Sequence, residues 1–328
     1  MNNFEYLIDK IANARFSDHP FPHIYIENFF NEADFNEITS SSAINIKESD
    51  DNEEMFNSLF SEGYKIIDFP GCIVDQQEYI AWHASSKKHS NIHTATEGFG
   101  MTLRLMNPKI DALKNLKEFI ESQSFSEAIA KKFNIEIDSV YADNGIQKYL
   151  DGYEISPHPD IRKKALTYMI NINPHKNSHE LSHHTHYLSL KDEYKYVESF
   201  WRGNVHYERC WVPWDWCEIE FTQSANNSLV MFSPNDSTIH AVKADYNHLS
   251  SQRTQLYGNL WYNRSNVLKT LEWENFQITQ QHKNFEIPVA SKLKAMIPPS
   301  IKNILKHISG KKNNKNYDNV RSKSIVDI

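Results

Sequence analysis

Cysteine is scarce in this chain: three in 328 residues, Cys72, Cys210 and Cys217, with no CxxC spacing among them. No disulfide framework can be read from them, which fits a reducing compartment. Long apolar runs are missing as well. None approaches the roughly 20 residues that a membrane-spanning helix needs. The opening Met1-Asn2-Asn3-Phe4-Glu5-Tyr6 carries no basic stretch leading into an apolar core, so no secretion signal is read. The expectation is a soluble, cytoplasmic protein. Nor is there an excess of basic charge: the net charge of −7 argues against nucleic acid as the main partner. What is present is 40% hydrophobic and 12% aromatic residues, enough for a substantial core in one enlarged domain or two small ones.

The hydrophobic period changes along the chain. Phe4, Leu7, Ile8 and Ile11 fall at i, i+3, i+4 and i+7 and predict an amphipathic first helix. Residues 23–26 alternate as a strand, Asn31 marks a capped helix start, and the polar, acidic residues 42–55 are read as a loop. Residues 98–105 predict a strand entered through glycines. Residues 109–133 predict helices broken near Ser122-Gln123-Ser124. From 143 to 263 the pattern becomes β runs separated by polar turns. The fold class expected is mostly β with flanking helices (α+β).

One constellation carries chemistry. His158-Pro159-Asp160 is answered 80 residues later by His240, in a short β-like run, and then by Arg253 at the head of a plausible final strand. Residues i and i+2 of an extended segment project to one face, so His158 and Asp160 can reach a single metal. Two imidazoles and a carboxylate form the facial triad that holds Fe(II) with positions left open. Arg253 can clamp a carboxylate through a bidentate pair. The plainer alternative makes His158 a turn residue between Pro157 and Pro159, with Asp160 capping the next segment. His206-Tyr207-Glu208 is a competing HxE.

The order HxD, distal His, terminal Arg resembles the Fe(II)/2-oxoglutarate-dependent oxygenases, in the branch of prolyl-hydroxylase-like and phytanoyl-hydroxylase-like enzymes. Residues 149–158, 165–173, 227–232 and 21–30 resemble strands of the same family. The resemblance implies a double-stranded β-helix, the jelly-roll core of cupins, over residues 143–263. Residues 1–142 would be its support region, 174–226 an insertion and 264–328 a C-terminal extension. It further implies His158, Asp160 and His240 as iron ligands and Arg253, with Tyr149 and Gln255, as 2-oxoglutarate contacts. Gln255 departs from the small hydroxyl residue usual there, though its amide can donate. The implied reaction is hydroxylation of an unactivated C–H bond, releasing succinate and CO2, with ascorbate as a supporting reductant. A carboxylate at Asp160 leaves no vacancy for a halide, which favours hydroxylation over halogenation. The substrate expected is small and polar or glycan-like. A protein side chain is the rival, the more so because Lys191 lies near a middle-strand position. A cupin-like module that holds metal without turnover is the alternative from another class, and it has no need of Arg253.

Three features stay open. Five histidines, His175, His179, His183, His184 and His186, could hold a second metal, form a lid or lie on the surface. Trp211, Trp214 and Trp216 could wall a pocket or anchor the insertion. Residues 288–328 hold nine Lys/Arg against two acidic residues, and Ile301, Ile304, Leu305 and Ile308 fall at helical spacing. That helix either touches an anionic membrane peripherally or docks on the barrel. Oligomeric state is not legible.

Overall fold

The computed structural model describes residues 4–85, 95–205 and 207–263. The basic amphipathic segment at 301–308 therefore lies outside the described residues. Seven helices fall within them: α1 (Tyr6–Asn13), α2 (Glu32–Ser40), α3 (Asn52–Ser61), α4 (Gln76–Ala84), α5 (Asp111–Ile120), α6 (Gln123–Lys132) and α7 (Tyr196–Gly203). The first strands are β1 (Phe16–Ser17), β2 (His23–Glu27), β3 (Tyr64–Ile66), β4 (Thr102–Leu105), β5 (Val140–Tyr149) and β6 (Glu154–His158). The rest are β7 (Lys164–Asn171), β8 (Thr185–Leu190), β9 (Cys217–Gln223), β10 (Ser228–Phe232), β11 (His240–Lys243) and β12 (Arg253–Tyr262). None of the described helices is long and apolar enough to cross a membrane.

Two antiparallel sheets result. The larger has eight strands in the order β1-β2-β10-β7-β12-β5-β4-β3, the smaller four in the order β6-β11-β8-β9. The period of two divides each central strand of the larger sheet. Leu166, Tyr168 and Ile170 of β7, Leu229 and Met231 of β10, Ile146 of β5, and Leu256 and Leu260 of β12 enter the main core. There they meet Leu7 and Ile11 of α1, Phe56 of α3, Leu113 and Phe119 of α5, and Phe125 of α6. The alternate residues, among them Gln147, Tyr149, Met169, Arg253, Gln255 and Tyr257, belong to the other face. Tyr149, Met169, Arg253, Gln255 and Tyr257 line a cavity together with residues of the smaller sheet.

The helix starts are chemically marked. Asn31, Asp51, Asp75 and Ser122 each accept a hydrogen bond from a backbone N–H in the first turn of α2, α3, α4 and α6. The loop expected at 42–55 extends only to Asp51, after which α3 begins. Asp51 caps α3, and Glu53 and Glu54 lie in its first turn, where acidic side chains favour a helix N-terminus. Ala43, Ile44 and Ile46 before it are buried. The span 174–226, expected as an insertion, is also different: β8 and β9 arise from it and pair with each other, and β8 pairs with β11. The longest stretch of that span outside the sheets runs between β8 and β9 and includes α7.

Candidate metal centre

His158 closes β6 and His240 opens β11, and the two are direct cross-strand partners. Their ring centroids stand 4.5 Å apart. Asp160 follows two residues after His158, with its Oδ2 3.9 Å from His240 Nε2. One ligand atom from each of the three lies within 4.8 Å of the others. Each imidazole is oriented by a main-chain carbonyl two residues earlier: His158 Nδ1 donates to Ser156 O at 2.8 Å and His240 Nδ1 to Thr238 O at 3.0 Å. That fixes the tautomer and leaves each Nε2 lone pair for a metal.

The protonation states suit the same purpose. Burial, then the neighbouring His240, pushes the His158 imidazole down to about 3. Burial likewise lowers His240. Burial alone would raise the Asp160 carboxyl, but Lys164 above all, with His240 and His158, holds it below the ordinary carboxylate range. Two neutral imidazoles and one carboxylate are the forms that bind a divalent cation, so the donor set fits iron. Lys164 and Thr167, which sequence reasoning missed, complete the setting. Lys164 Nζ donates to Asp160 Oδ1 at 2.5 Å and Thr167 Oγ1 to Asp160 Oδ2 at 2.6 Å. Lys164 also donates to Tyr257 Oη at 2.8 Å.

Arg253 is buried, with 2% of its surface exposed. Its Nη2 donates to Thr185 Oγ1 at 2.8 Å and to Gln255 Oε1 at 3.0 Å. The guanidinium stands 4.6 Å from the ring centre of Tyr149, its cross-strand partner. No carboxylate among the described residues forms an ion pair with it. Burial lowers its pKa, yet an arginine remains charged. A buried cation facing a cavity without an anion is costly unless a ligand supplies one. Gln255 is committed elsewhere in part: besides accepting from Arg253, it donates from Nε2 to Asn171 Oδ1 at 2.8 Å. Tyr149, His158, Asp160, His240, Arg253 and Gln255 all line one cavity of about 370 Å³.

The open features resolve unequally. His183 and His184 are buried, His175 and His179 exposed, and His186 hydrogen-bonds Thr222 Oγ1 at 2.9 Å. These five form no three-residue metal-binding group among the described residues. Trp211 lines the cavity, whereas Trp214 Nε1 donates to Glu154 Oε1 at 2.9 Å and Trp216 stacks on Tyr194 at 4.5 Å. Lys191 is not among the cavity-lining residues. Of the competing HxE, His206 lies outside the described residues and Glu208 is exposed. A second His–Asp–His group, His83, Asp151 and His248, is held by its own hydrogen bonds. His83 Nε2 donates to Asp151 Oδ2 at 2.7 Å, and His248 accepts the Asp151 N–H at Nδ1 (3.1 Å) while Nε2 donates to Asn52 Oδ1 (2.7 Å). With both ring nitrogens of His248 engaged, this group reads as a staple joining α4, α3 and the β5–β6 turn.

No family model matches the chain, and no curated protein matches it. Solved structures do. A prolyl-4-hydroxylase of Pseudomonas putida matches at TM-score 0.37 and 10% identity, covering 79% of this chain and 98% of that one. The epimerase SnoN in complex with Fe3+, α-ketoglutarate and nogalamycin RO matches at TM-score 0.39 and 7% identity, covering 80% and 89%. EvdO2 of Micromonospora carbonacea var. aurantiaca, complexed with 2-oxoglutarate, matches at TM-score 0.28 and 14% identity, covering 64% and 89%.

Proposed function

We propose that this protein is an Fe(II)- and 2-oxoglutarate-dependent oxygenase that hydroxylates a C–H bond of a small polar or glycan-like substrate. The two sheets are read as a double-stranded β-helix. The observation that carries the reading is Arg253, a buried guanidinium without an acid partner among the described residues, in the cavity that also holds His158, Asp160 and His240. A barrel that only stores a metal has no use for such an arginine.

In this reading His158, Asp160 and His240 hold iron, and Arg253 takes the distal carboxylate of 2-oxoglutarate with the help of Tyr149. Iron held there would supply the redox chemistry by which dioxygen oxidises 2-oxoglutarate to succinate and CO2 and a substrate C–H to an alcohol. The chain's own work is positioning. Lys164 and Thr167 hold both oxygens of Asp160, and Ser156 and Thr238 hold the imidazoles. Phe69, Tyr153 and Trp211 contribute aromatic walls to the cavity. Arg209 pairs with Glu97, and both line the same cavity. These charges beside aromatic faces suit a polar substrate.

The test is anaerobic addition of Fe(II) and then 2-oxoglutarate to the metal-free protein, followed by visible absorption. The wild type should develop a charge-transfer band only when both are present. Asp160→Ala should lose iron and band together. Arg253→Ala should keep iron but require about a hundredfold more 2-oxoglutarate, since removing one partner of a buried charge pair costs roughly 2–5 kcal/mol. Iron binding with no 2-oxoglutarate-dependent band would leave a metal-holding module instead.

A further inference from the structure

Gln147 lies two residues before Tyr149 on β5 and is fully buried. Its amide sits between the Tyr149 hydroxyl and the guanidinium of Arg104, its partner across β4 and β5. A guanidinium has donors only. An amide nitrogen turned toward it would set N–H against N–H. With the oxygen toward Arg104, both neighbours are satisfied. Oε1 accepts from Arg104 Nη2 at 2.7 Å and from Nε at 3.2 Å, while Nε2 donates to Tyr149 Oη at 2.6 Å. Arg104 is anchored in turn by Asp143, Nη1 to Oδ1 at 2.8 Å and Nη2 to Oδ2 at 3.4 Å. Gly145 leaves room for it: a Cβ there would stand 2.9 Å from Arg104 Cδ.

The consequence falls on a single proton. A tyrosine hydroxyl has one hydrogen to give. In the opposite amide orientation Tyr149 would give it to Gln147 Oε1. In the satisfied orientation the hydroxyl accepts from Gln147, and its hydrogen is left for a ligand oxygen in the cavity. Burial keeps that hydroxyl protonated, against the opposing pull of Arg253. We propose that Asp143, Arg104 and Gln147 form a relay that fixes the Tyr149 hydroxyl as a hydrogen-bond donor to a carboxylate of 2-oxoglutarate. This inference rests on the co-substrate reading above. Gln147 and Arg104 are thus positioning residues acting through Tyr149.

The experiment is calorimetric titration of 2-oxoglutarate into the full-length protein loaded with Zn(II), which separates binding from turnover. Gln147→Glu keeps an acceptor for Arg104 but also accepts the Tyr149 proton, so it should mimic Tyr149→Phe. Each is expected to raise Kd about tenfold or more, the scale of one hydrogen bond to a charged group. The double variant should be no weaker than either single one. Asp143→Asn, which loosens Arg104 without adding charge, should raise Kd several-fold in the wild type and not at all beside Tyr149→Phe. It decides the matter if Gln147→Glu does not fold by circular dichroism. An unchanged Kd in Gln147→Glu, with Tyr149→Phe weakened, overturns the relay and leaves the co-substrate reading standing. Equal weakening by Gln147→Glu with and without Tyr149 would reveal charge repulsion and also overturn it. A wild type that does not bind 2-oxoglutarate removes the co-substrate reading, and the relay with it.

Discussion

Lys148 is fully buried, with no carboxylate among the described residues as a partner. Its Nζ donates to Ile44 O and to Thr254 Oγ1, both at 2.8 Å, and burial pushes the ammonium down to about 7. An unfolded lysine titrates near 10.4. Between about pH 7 and 10.4 the folded chain therefore binds fewer protons than the unfolded one, and stability rises with pH across that window by at most about 1.4 kcal/mol per unit. Below it both forms are protonated and the slope from this group vanishes. Thermal unfolding of wild type and Lys148→Met from pH 6 to pH 10 checks this: the gap between them should shift in favour of the wild type as pH rises. A gap independent of pH would mean that Lys148 titrates normally. Thr167 offers a second test. Its hydroxyl donates to Asp160 Oδ2, so Thr167→Val should weaken metal binding by about 10–100-fold, as loss of an outer partner does. A metal titration monitored by competition with a chelator reads this directly.

At the scale of the element, the site is a product of register. Arg253 faces Tyr149 and Gln255 faces Gln147 across β12 and β5, while His240 faces His158 across β11 and β6. A shift of one residue would turn each of these side chains to the other face of its sheet. Gly258 of β12 helps fix that register. A Cβ there would fall 2.2 Å from the Tyr168 ring and 2.3 Å from Asn144 Oδ1, the two groups joined by a 2.9 Å hydrogen bond. Gly258→Ala should destabilise by about 1–3 kcal/mol, the usual cost of overpacking, measured by denaturant unfolding. Gly145→Ala makes the opposite comparison, because its nearest neighbour is the side chain of Arg104. It should cost less stability yet weaken 2-oxoglutarate binding. The helices α1, α5 and α6 were legible as hydrophobic periods and α2 from its cap, whereas β7 and β10 were read through the family resemblance and β12 as a plausible final strand. The strand β8 was not legible. Thr185-His186-Tyr187-Leu188-Ser189-Leu190 follows a run of histidines, and its two faces, Thr185 with Tyr187 and Leu188 with Leu190, are buried in different surroundings once β11 and β9 flank it.

For the whole molecule, metal and co-substrate should stabilise the fold, because both bind groups that only tertiary structure assembles. At 100 times Kd a ligand adds about 2.7 kcal/mol, so Zn(II) with 2-oxoglutarate should raise the thermal midpoint by several degrees and a chelator should reverse it. No shift, with binding confirmed by calorimetry, would mean that the site persists in the unfolded chain. What the sequence determined by itself is the local chemistry. The i, i+2 spacing of His158 and Asp160 follows from an extended backbone, and the strand opened by Arg253 from its β-branched and aromatic pattern. What only the tertiary structure decided is which residues meet. His240 against His158, Arg104 against Gln147 and the staple of His83, Asp151 and His248 all depend on sheet register or on loops folding back. These contacts join strands or helices distant in sequence, or side chains that come to share a face. No single segment encodes them, because a side chain's partner is set by the strand beside it and not by its neighbours along the chain.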